Sequence, residues 1–136
     1  MKVMLTGGTG FIGGHLLKAL TSEGHDVRLL VRDAEKLERM IELQSIEAEV
    51  DYVIGDMADP ATVQASLEGC NACIHAAAFT SLDPSQMDQA LAVNGPAAQL
   101  ILDTAHQQGC DPIIHVSTMS VIFPPSGDLL SGEDPV

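Results

Sequence analysis

A glycine-rich stretch near the start of the chain combines residue types suited to holding a phosphate. Gly7, Gly10 and Gly13 recur at every third position, after an apolar run at residues 3–5 and before an amphipathic stretch that begins at Phe11. Glycines lack a Cβ atom, so the turn can take unusual dihedrals and a phosphate can approach the backbone. The first N–H groups of a helix are unpaired and lie at the positive end of its dipole. The stretch therefore predicts a pyrophosphate site, with an ordinary glycine turn as the alternative.

The same stretch resembles the cofactor loop of a known family. The run Thr6-Gly7-Gly8-Thr9-Gly10-Phe11-Ile12-Gly13 looks like that of the extended short-chain dehydrogenases/reductases. This family includes nucleotide-sugar epimerases and dehydratases, dihydroflavonol reductases and 3β-hydroxysteroid dehydrogenases. The resemblance implies that the loop binds the pyrophosphate of a nicotinamide dinucleotide. The implied contacts are Gly7, Thr9, Gly10, Phe11, Ile12 and Gly13.

Short apolar runs alternate with helical stretches along the rest of the chain. The predicted strands cover residues 2–5, 27–31, 50–54, 72–76 and 113–117. The predicted helices cover residues 11–22, 34–45, 60–67 and a long stretch within 85–108. This alternation predicts an α/β fold with a doubly wound parallel sheet (Rossmann), in strand order 3-2-1-4-5 and incomplete at its C-terminal side. Pro96 falls inside the long helix and would clash with the carbonyl of Ala92, so we expect a kink or a break there.

The composition restricts the kinds of partner and compartment. Nineteen acidic residues stand against six basic ones, and the resulting net charge of −13 argues against nucleic acid or an anionic membrane as a partner. The first apolar run is too short for a signal peptide or a membrane span. Three cysteines, an odd number, indicate reduced thiols and a cytoplasmic location. Cys70 and Cys73 form C-x-x-C without a second pair, which favours structural cysteines over a metal site.

The end of the second strand predicts which dinucleotide is bound. NAD-binding relatives place an acid here to accept from the ribose 2′-hydroxyl, whereas this chain has Val31 followed by Arg32. The run Val-Arg-Asp resembles the NADP-dependent reductases of the family, and a guanidinium can clasp a 2′-phosphate with charge-assisted hydrogen bonds. Lys36 is a candidate second cation. We therefore expect NADP rather than NAD, and the alternative for Arg32 is a surface arginine paired with a neighbouring acid.

Two further strand ends carry cofactor contacts that the resemblance implies. After the third strand, the Asp56 side chain would accept from the adenine amino group and the Met57 backbone would donate to the ring. The alternative for Asp56 is a turn cap. After the fourth strand, the backbone of Ala76, Ala77 and Ala78 would lie against the nicotinamide-side ribose and the pyrophosphate.

The fifth strand leads to the residue implied to act on a substrate. Its end resembles the strand that carries the family's catalytic Ser/Thr and puts Thr118 at that position, where the hydroxyl would bond the substrate oxygen. Asn94 aligns with an asparagine that supports the active-site backbone in the family. His75 is expected to be a packed or hydrogen-bonded strand residue rather than a base. The family's Tyr-x-x-x-Lys pair has no match, because the single tyrosine, Tyr52, has no lysine four residues on.

Together these features predict the NAD(P)-binding part, over residues 1–136, of an oxidoreductase or epimerase/dehydratase. The substrate would be a carbonyl or alcohol of a small molecule or nucleotide sugar. We expect the substrate domain to be absent and the chain to be inactive alone. A non-catalytic dinucleotide-binding sensor or assembly module of the same fold fits the missing tyrosine and lysine equally well. The oligomeric state, including a homodimer, stays open at this point.

Overall fold

A five-stranded parallel sheet forms the centre of the computed structural model, which describes residues 1–81 and 83–118. The strands are β1 (Lys2–Thr6), β2 (Asp26–Val31), β3 (Asp51–Ile54), β4 (Ala72–His75) and β5 (Ile113–His115). Their order is β3-β2-β1-β4-β5, and each pair of neighbours is parallel. The predicted doubly wound α/β fold and its strand order are therefore confirmed.

Four helices connect the strands. They are α1 (Phe11–Ser22), α2 (Ala34–Gln44), α3 (Pro60–Leu67) and α4 (Met87–Gln107), and a short 3-10 helix, Pro84–Gln86, precedes α4. The predictions for α1 and α3 match the structure at both ends. The prediction for α2 is one residue too long, because Ser45 turns into the left-handed region with φ 52° and ends the helix. In the part of the chain that the structure describes, no helix has both the length and the apolar character that crossing a bilayer needs.

The helices pack on both faces of the sheet, and each face has its own apolar core. Leu5 and Leu29 face one core together with Leu17 of α1. Met4, the neighbour of Leu5 in β1, faces the other core together with Ile101 of α4. Successive side chains of a strand point to opposite faces, so a strand covered on both sides reads as an uninterrupted apolar run. The strands are therefore recognisable in the sequence as uninterrupted apolar runs.

Aspartates fix two of the helix starts. Asp33 accepts a hydrogen bond from the backbone N–H of Lys36 at 3.2 Å and caps α2. Asp59 accepts from the backbone N–H of Thr62 at 3.0 Å and caps α3, whose first residue is Pro60. Each carboxylate satisfies an N–H group that has no partner within the helix.

The amino ends of the strands are joined by an ionic clamp on Asp51. The carboxylate of Asp51 accepts from Lys2 Nζ at 2.9 Å and from Arg28 Nε at 2.7 Å. Arg28 also donates to the carbonyl of Glu68 at 2.7 Å. The hydrogen bonds from Lys2 and Arg28 hold the pKa of Asp51 below its usual range. Two of the six basic side chains are thus engaged at the edge of the sheet opposite the strand carboxyl ends.

Of the kink or break predicted at Pro96, the break does not occur. Helix α4 continues from Met87 to Gln107 with Pro96 inside. Contacts on both sides of the proline explain this. Before it, Asn94 is hydrogen bonded to Phe79, and after it Ile101 is fully buried. Tertiary packing of a helix face outweighs the local cost of one unfavourable residue.

Replacing Pro96 by alanine tests this balance. Pro96→Ala restores an N–H group that can bond the Ala92 carbonyl, so we expect the free energy of unfolding to rise by about 1–3 kcal/mol. Urea denaturation followed by circular dichroism measures the change. Gln99→Ala, at an exposed position of the same helix, is the control and should stay within about 0.5 kcal/mol. An unchanged or lower stability of Pro96→Ala would show that the proline carries no cost here.

Candidate functional site

A cleft of about 630 Å³ lies along the carboxyl ends of the strands. Five segments line it: the loop after β1, the end of β2 with the start of α2, the loop after β3, the loop after β4, and the first turns of α4. The lining residues are Thr6, Gly7, Thr9, Gly10, Leu30, Val31, Arg32, Lys36, Gly55, Asp56, Met57, Ala58, Ala76, Ala77, Ala78, Phe79, Gln89 and Val93. In open α/β sheets this crevice is where ligands bind.

Most of the cofactor contacts predicted from the sequence come together in this cleft. Nine of the twelve are lining residues: Gly7, Thr9, Gly10, Arg32, Asp56, Met57, Ala76, Ala77 and Ala78. The other three are Phe11, Ile12 and Gly13, which form the first turn of α1 directly after the lining residue Gly10. Residues far apart in the sequence thus converge on one site, because parallel strands end at the same edge of the sheet.

The glycine loop is folded so tightly that side chains would not fit. Gly7 has φ +77°, and a Cβ atom on it would lie 2.7 Å from the carbonyl carbon of Ala76. A Cβ on Gly13 would overlap the carbonyl oxygen of Gly7. That carbonyl also accepts from the N–H of Gly10 at 2.9 Å. The three-residue spacing of the glycines therefore has a structural cause, since each of them meets Gly7 or the end of β4.

The start of α1 differs from the starts of α2 and α3. Its N-cap is Gly10, which offers no side-chain hydrogen bond, and its first turn contains no acid. The side chains of Phe11 and Ile12 are 81% and 55% exposed. The first N–H groups of α1 are thus left without a capping carboxylate at the positive end of the helix dipole. Together with the glycine loop, this forms a cradle suited to a phosphate.

The Thr6 hydroxyl ties the end of β1 to the loop after β4. It accepts from the backbone N–H groups of Ala76 at 3.2 Å and Ala77 at 3.1 Å. Its oxygen also lies 2.6 Å from His75 Nδ1. Because the hydroxyl already accepts twice, its own hydrogen points to Nδ1, and the proton of the neutral imidazole is on Nε2. One buried hydroxyl therefore holds two backbone groups of the cleft.

His75 is a structural residue, as expected from the sequence. It is 2% exposed and stacks on His115, with ring centroids 5.2 Å apart. Burial lowers the pKa of His75 to about 4, and the nearby His115 acts in the same direction. The ring is therefore neutral at physiological pH, and its Nδ1 is occupied by Thr6. This arrangement suits support of the cleft floor rather than proton transfer.

Asn94 clamps the loop after β4 from the side of α4. Its Oδ1 accepts from the N–H of Phe79 at 2.7 Å, and its Nδ2 donates to the carbonyl of Phe79 at 2.9 Å. Both hydrogen-bonding groups of one loop residue are thus satisfied by one side chain. Phe79 lines the cleft, so Asn94 acts on the site by positioning backbone. The role that the resemblance implied for this asparagine agrees with this geometry.

Two cations at the cleft have no acidic partner in the part of the chain that the structure describes. Arg32 and Lys36 are exposed lining residues. Within residues 1–81 and 83–118, neither side chain forms an ion pair or a hydrogen bond. Val31, which precedes Arg32, is 4% exposed and lies in the core. The end of β2 therefore presents positive charge and no carboxylate to the cleft.

Asp56 both caps a turn and lines the cleft. Its Oδ1 accepts from the N–H of Ala58 at 2.8 Å, which makes it a turn cap of the loop after β3. It is also exposed and lines the cleft beside Met57. A carboxylate has several acceptor sites, so the turn cap leaves the second oxygen for a ligand.

The cysteines lie away from the cleft, in the core between the sheet, α3 and α4. Cys70, Cys73 and Cys110 are buried free thiols. Burial raises the pKa of Cys73 to about 12, which disfavours the reactive thiolate. No cluster of three or more His, Cys, Asp or Glu within the described ranges is arranged to hold a metal ion.

The structure places Thr118 beyond the end of β5 and exposed. It is outside the set of described residues that line the cleft. The sequence reasoning assigned no part of α4 to the cofactor cleft, although two residues of this helix line it. Gln89 and Val93 come from the start of α4, and their spacing of four residues on a helix is the signal that could have paired them.

Comparison with known proteins identifies the family to which the chain belongs. The sequence profile of the 3-beta hydroxysteroid dehydrogenase/isomerase family matches residues 4–135. The chain belongs to this family. Among curated relatives, a putative dihydroflavonol 4-reductase of Synechocystis is 30% identical over 118 residues, covering 87% of this chain and 33% of the relative. The dTDP-glucose 4,6-dehydratase of Streptomyces antibioticus is 33% identical over 129 residues, covering 89% and 38%.

A solved structure supports the fold of this family member. The UDP-glucose 4-epimerase from Bifidobacterium longum, in complex with NAD⁺ and UDP, superposes with a TM-score of 0.82 at 22% identity. The match covers 99% of this chain and 42% of that protein. The chain thus spans about a third of the length of the first curated relatives it matches.

The tight packing of the glycine loop predicts a strong difference between two glycines. Gly13→Ala forces a Cβ against the Gly7 carbonyl, so we expect it to lower the free energy of unfolding by about 1–3 kcal/mol. Gly95→Ala is the control, since Gly95 lies inside α4 with nothing within 4 Å of an added Cβ. It should raise stability by about 0.5–1 kcal/mol. Chemical denaturation of both variants measures this, and equal effects would contradict the packing argument.

The buried imidazole predicts a pH dependence of stability. The folded pKa of His75, about 4, lies below the ordinary histidine value of 6.5, so the unfolded chain binds more protons between these values. The contribution of His75 is complete above about pH 6.5 and is lost as the pH falls towards 4, by at most about 1.4 kcal/mol per pH unit.

Denaturation midpoints between pH 7 and 4 test this for His75→Gln, which removes the titration and retains an acceptor for Thr6. We expect a flatter pH profile than that of the wild type. His106→Gln, at an exposed histidine, should keep the wild-type slope. Parallel profiles of wild type and His75→Gln would show that His75 is not the source of this pH dependence.

Proposed function

We propose that the chain binds NADP(H) in the cleft and forms the cofactor site of an oxidoreductase. The parent enzyme would move hydride between the nicotinamide and a carbonyl or alcohol carbon of a small molecule, with nucleotide sugars among the candidates. Family membership supports this reaction class, because the relatives named above are a reductase and a dehydratase. The Bifidobacterium epimerase, which has the same fold, is described in complex with NAD⁺.

The observation that carries the choice of NADP is the charge at the end of β2. Arg32 and Lys36 line the cleft without an acidic partner in the described part of the chain. Val31 stands where a carboxylate would otherwise meet the ribose hydroxyls. A 2′-phosphate would neutralise these cations through charge-assisted hydrogen bonds, whereas a 2′-hydroxyl would leave them unpaired.

The rest of the cleft fits the other parts of a dinucleotide. The close approach of Gly7 and Gly13, with the uncapped start of α1, leaves a cradle in which the pyrophosphate would accept from backbone N–H groups. The Asp56 carboxylate would accept from the adenine amino group, beside the backbone of Met57. Ala77, held by Thr6, would offer its small side chain and backbone to the nicotinamide-side ribose.

The bound nicotinamide supplies or accepts the hydride, and the protein supplies position and proton handling. Thr118, at the end of β5, is proposed to donate a hydrogen bond to the substrate oxygen whose carbon changes oxidation state. Thr6 and Asn94 act indirectly, because they fix the backbone of the loop after β4. His75 is proposed to take no part in proton transfer, since its Nδ1 is engaged and burial keeps it neutral.

Removing the cleft guanidinium tests the cofactor assignment. Wild-type chain should bind NADPH about ten- to a hundredfold more tightly than NADH, as expected for one charge-assisted contact. Arg32→Ala should abolish most of this ratio by weakening NADPH while changing NADH little. Isothermal titration calorimetry gives both dissociation constants.

Arg39→Ala is the matched control, because Arg39 is an exposed arginine of α2 outside the cleft lining, 3.8 Å from Glu35. It should preserve the NADPH preference. Equal affinities for the two dinucleotides, before and after the Arg32 substitution, would overturn the NADP assignment. Failure of both dinucleotides to bind would overturn the cofactor site itself.

A further inference from the structure

A glycine of α1 has no role in the account above. Gly14 is buried in the first turns of this helix, one residue after the last glycine of the three-residue repeat. Its backbone is helical, so no left-handed conformation calls for glycine as it does at Gly7. Glycine inside a helix is destabilising relative to alanine, because it loses more conformational freedom on folding. The reason for a glycine at this position must therefore lie in its surroundings.

Met40 of α2 occupies the space beside Gly14. A Cβ atom on Gly14 would lie 2.5 Å from Met40 Sδ and 3.2 Å from Met40 Cε. Leu17 and Leu37, each three residues from this contact, are buried in one core. The separation of two packed helices depends on the side chains at their contact. An alanine at position 14 would therefore push aside either the Met40 side chain or the whole of α2.

The two helices that meet at this contact carry different parts of the cleft at their starts. Helix α1 begins after Gly10, whose carbonyl accepts from the N–H of Gly14 at 2.8 Å. Arg32 precedes α2, and Lys36 stands one helical turn before Met40. Gly10, Arg32 and Lys36 all line the cleft. The approach of α2 to α1 thus sets the distance between the phosphate cradle and these cations.

We propose that Gly14 is a positioning residue for the choice of dinucleotide. Its missing side chain lets α2 lie close enough to α1 for Arg32 and Lys36 to reach a 2′-phosphate while the cradle holds the pyrophosphate of the same ligand. This inference rests on the proposed NADP site. Gly14 is outside the cleft lining and acts through Met40 and α2. A dinucleotide without a 2′-phosphate makes no use of this distance.

The ratio of two affinities tests this role. Gly14→Ala should weaken NADPH about three- to tenfold, which is part of one charge-assisted contact, and change NADH by less than about twofold. A loss of folded protein affects both dinucleotides alike, so a merely structural effect leaves their ratio unchanged. Isothermal titration calorimetry gives both dissociation constants.

Substitutions of Met40 show whether the effect passes through α2. Met40→Ala removes the Sδ and Cε atoms that the new Cβ would meet, so Gly14→Ala should not change the ratio in that background. Met40→Phe crowds the same contact from α2 and should lower the ratio with the glycine intact, which keeps the test decisive if Gly14→Ala does not fold. Gly95→Ala is the matched control, because nothing lies within 4 Å of its added Cβ, and it should keep the wild-type ratio.

Three results would overturn the role of Gly14 while leaving the NADP site standing. They are an equal loss for both dinucleotides in Gly14→Ala, a wild-type ratio in Met40→Phe, and the same effect of Gly14→Ala with and without the Met40 side chain. If the wild-type chain shows no preference for NADPH, or binds neither dinucleotide, the proposed function fails together with this inference.

Discussion

The contact between the first glycine turn and the end of β4 is the constraint on which the site depends. Gly7 lies so close to Ala76 that no side chain fits between them, and the Thr6 hydroxyl bonds the two N–H groups that follow His75. The two central strands therefore end in one rigid unit rather than in two independent loops. A ligand that spans this point would meet backbone on both sides, and contacts within the protein already position that backbone.

His75 extends this unit into the core. Its Nδ1 takes the hydrogen of the Thr6 hydroxyl, which leaves the oxygen lone pairs of Thr6 for backbone N–H groups. A protonated imidazole could not accept that hydrogen, so the arrangement requires the neutral ring that burial enforces. The geometry of the cleft floor thus depends on the packing that keeps His75 buried and neutral.

Charge is distributed so that the cleft differs from the rest of the molecule. A chain of net charge −13 repels anions at a distance, so an anionic cofactor must be held by local groups. Lys2 and Arg28 form ion pairs with Asp51 at the opposite edge of the sheet. Arg32 and Lys36 remain without acidic partners among the residues described. The cradle at α1 adds N–H groups without adding an acid.

Local patterns predicted the fold well, and long-range contacts explain what they missed. Helices α1 and α3 were predicted at both ends, because glycine, proline and aspartate mark helix starts within a few residues. Of the kink or break expected at Pro96, the break is absent, since distant packing partners hold α4 together there. The bond between Thr6 and His75 joins positions 69 apart. No local pattern encodes such a contact, and the same holds for the place of Gln89 in the cleft.

The site also separates two properties that the family combines. Every described residue that lines the cleft falls between Thr6 and Val93, whereas the proposed catalytic hydroxyl, Thr118, lies outside that lining. The proposed affinity for a dinucleotide and the proposed turnover of a substrate can therefore respond to different substitutions. A change at Gly13 or Arg32 acts on the cradle or on its charge, without touching the group that would meet the substrate. Because the cradle is built from backbone and the charge from two side chains, the proposed recognition of phosphate and the proposed choice of dinucleotide are separable within one cleft.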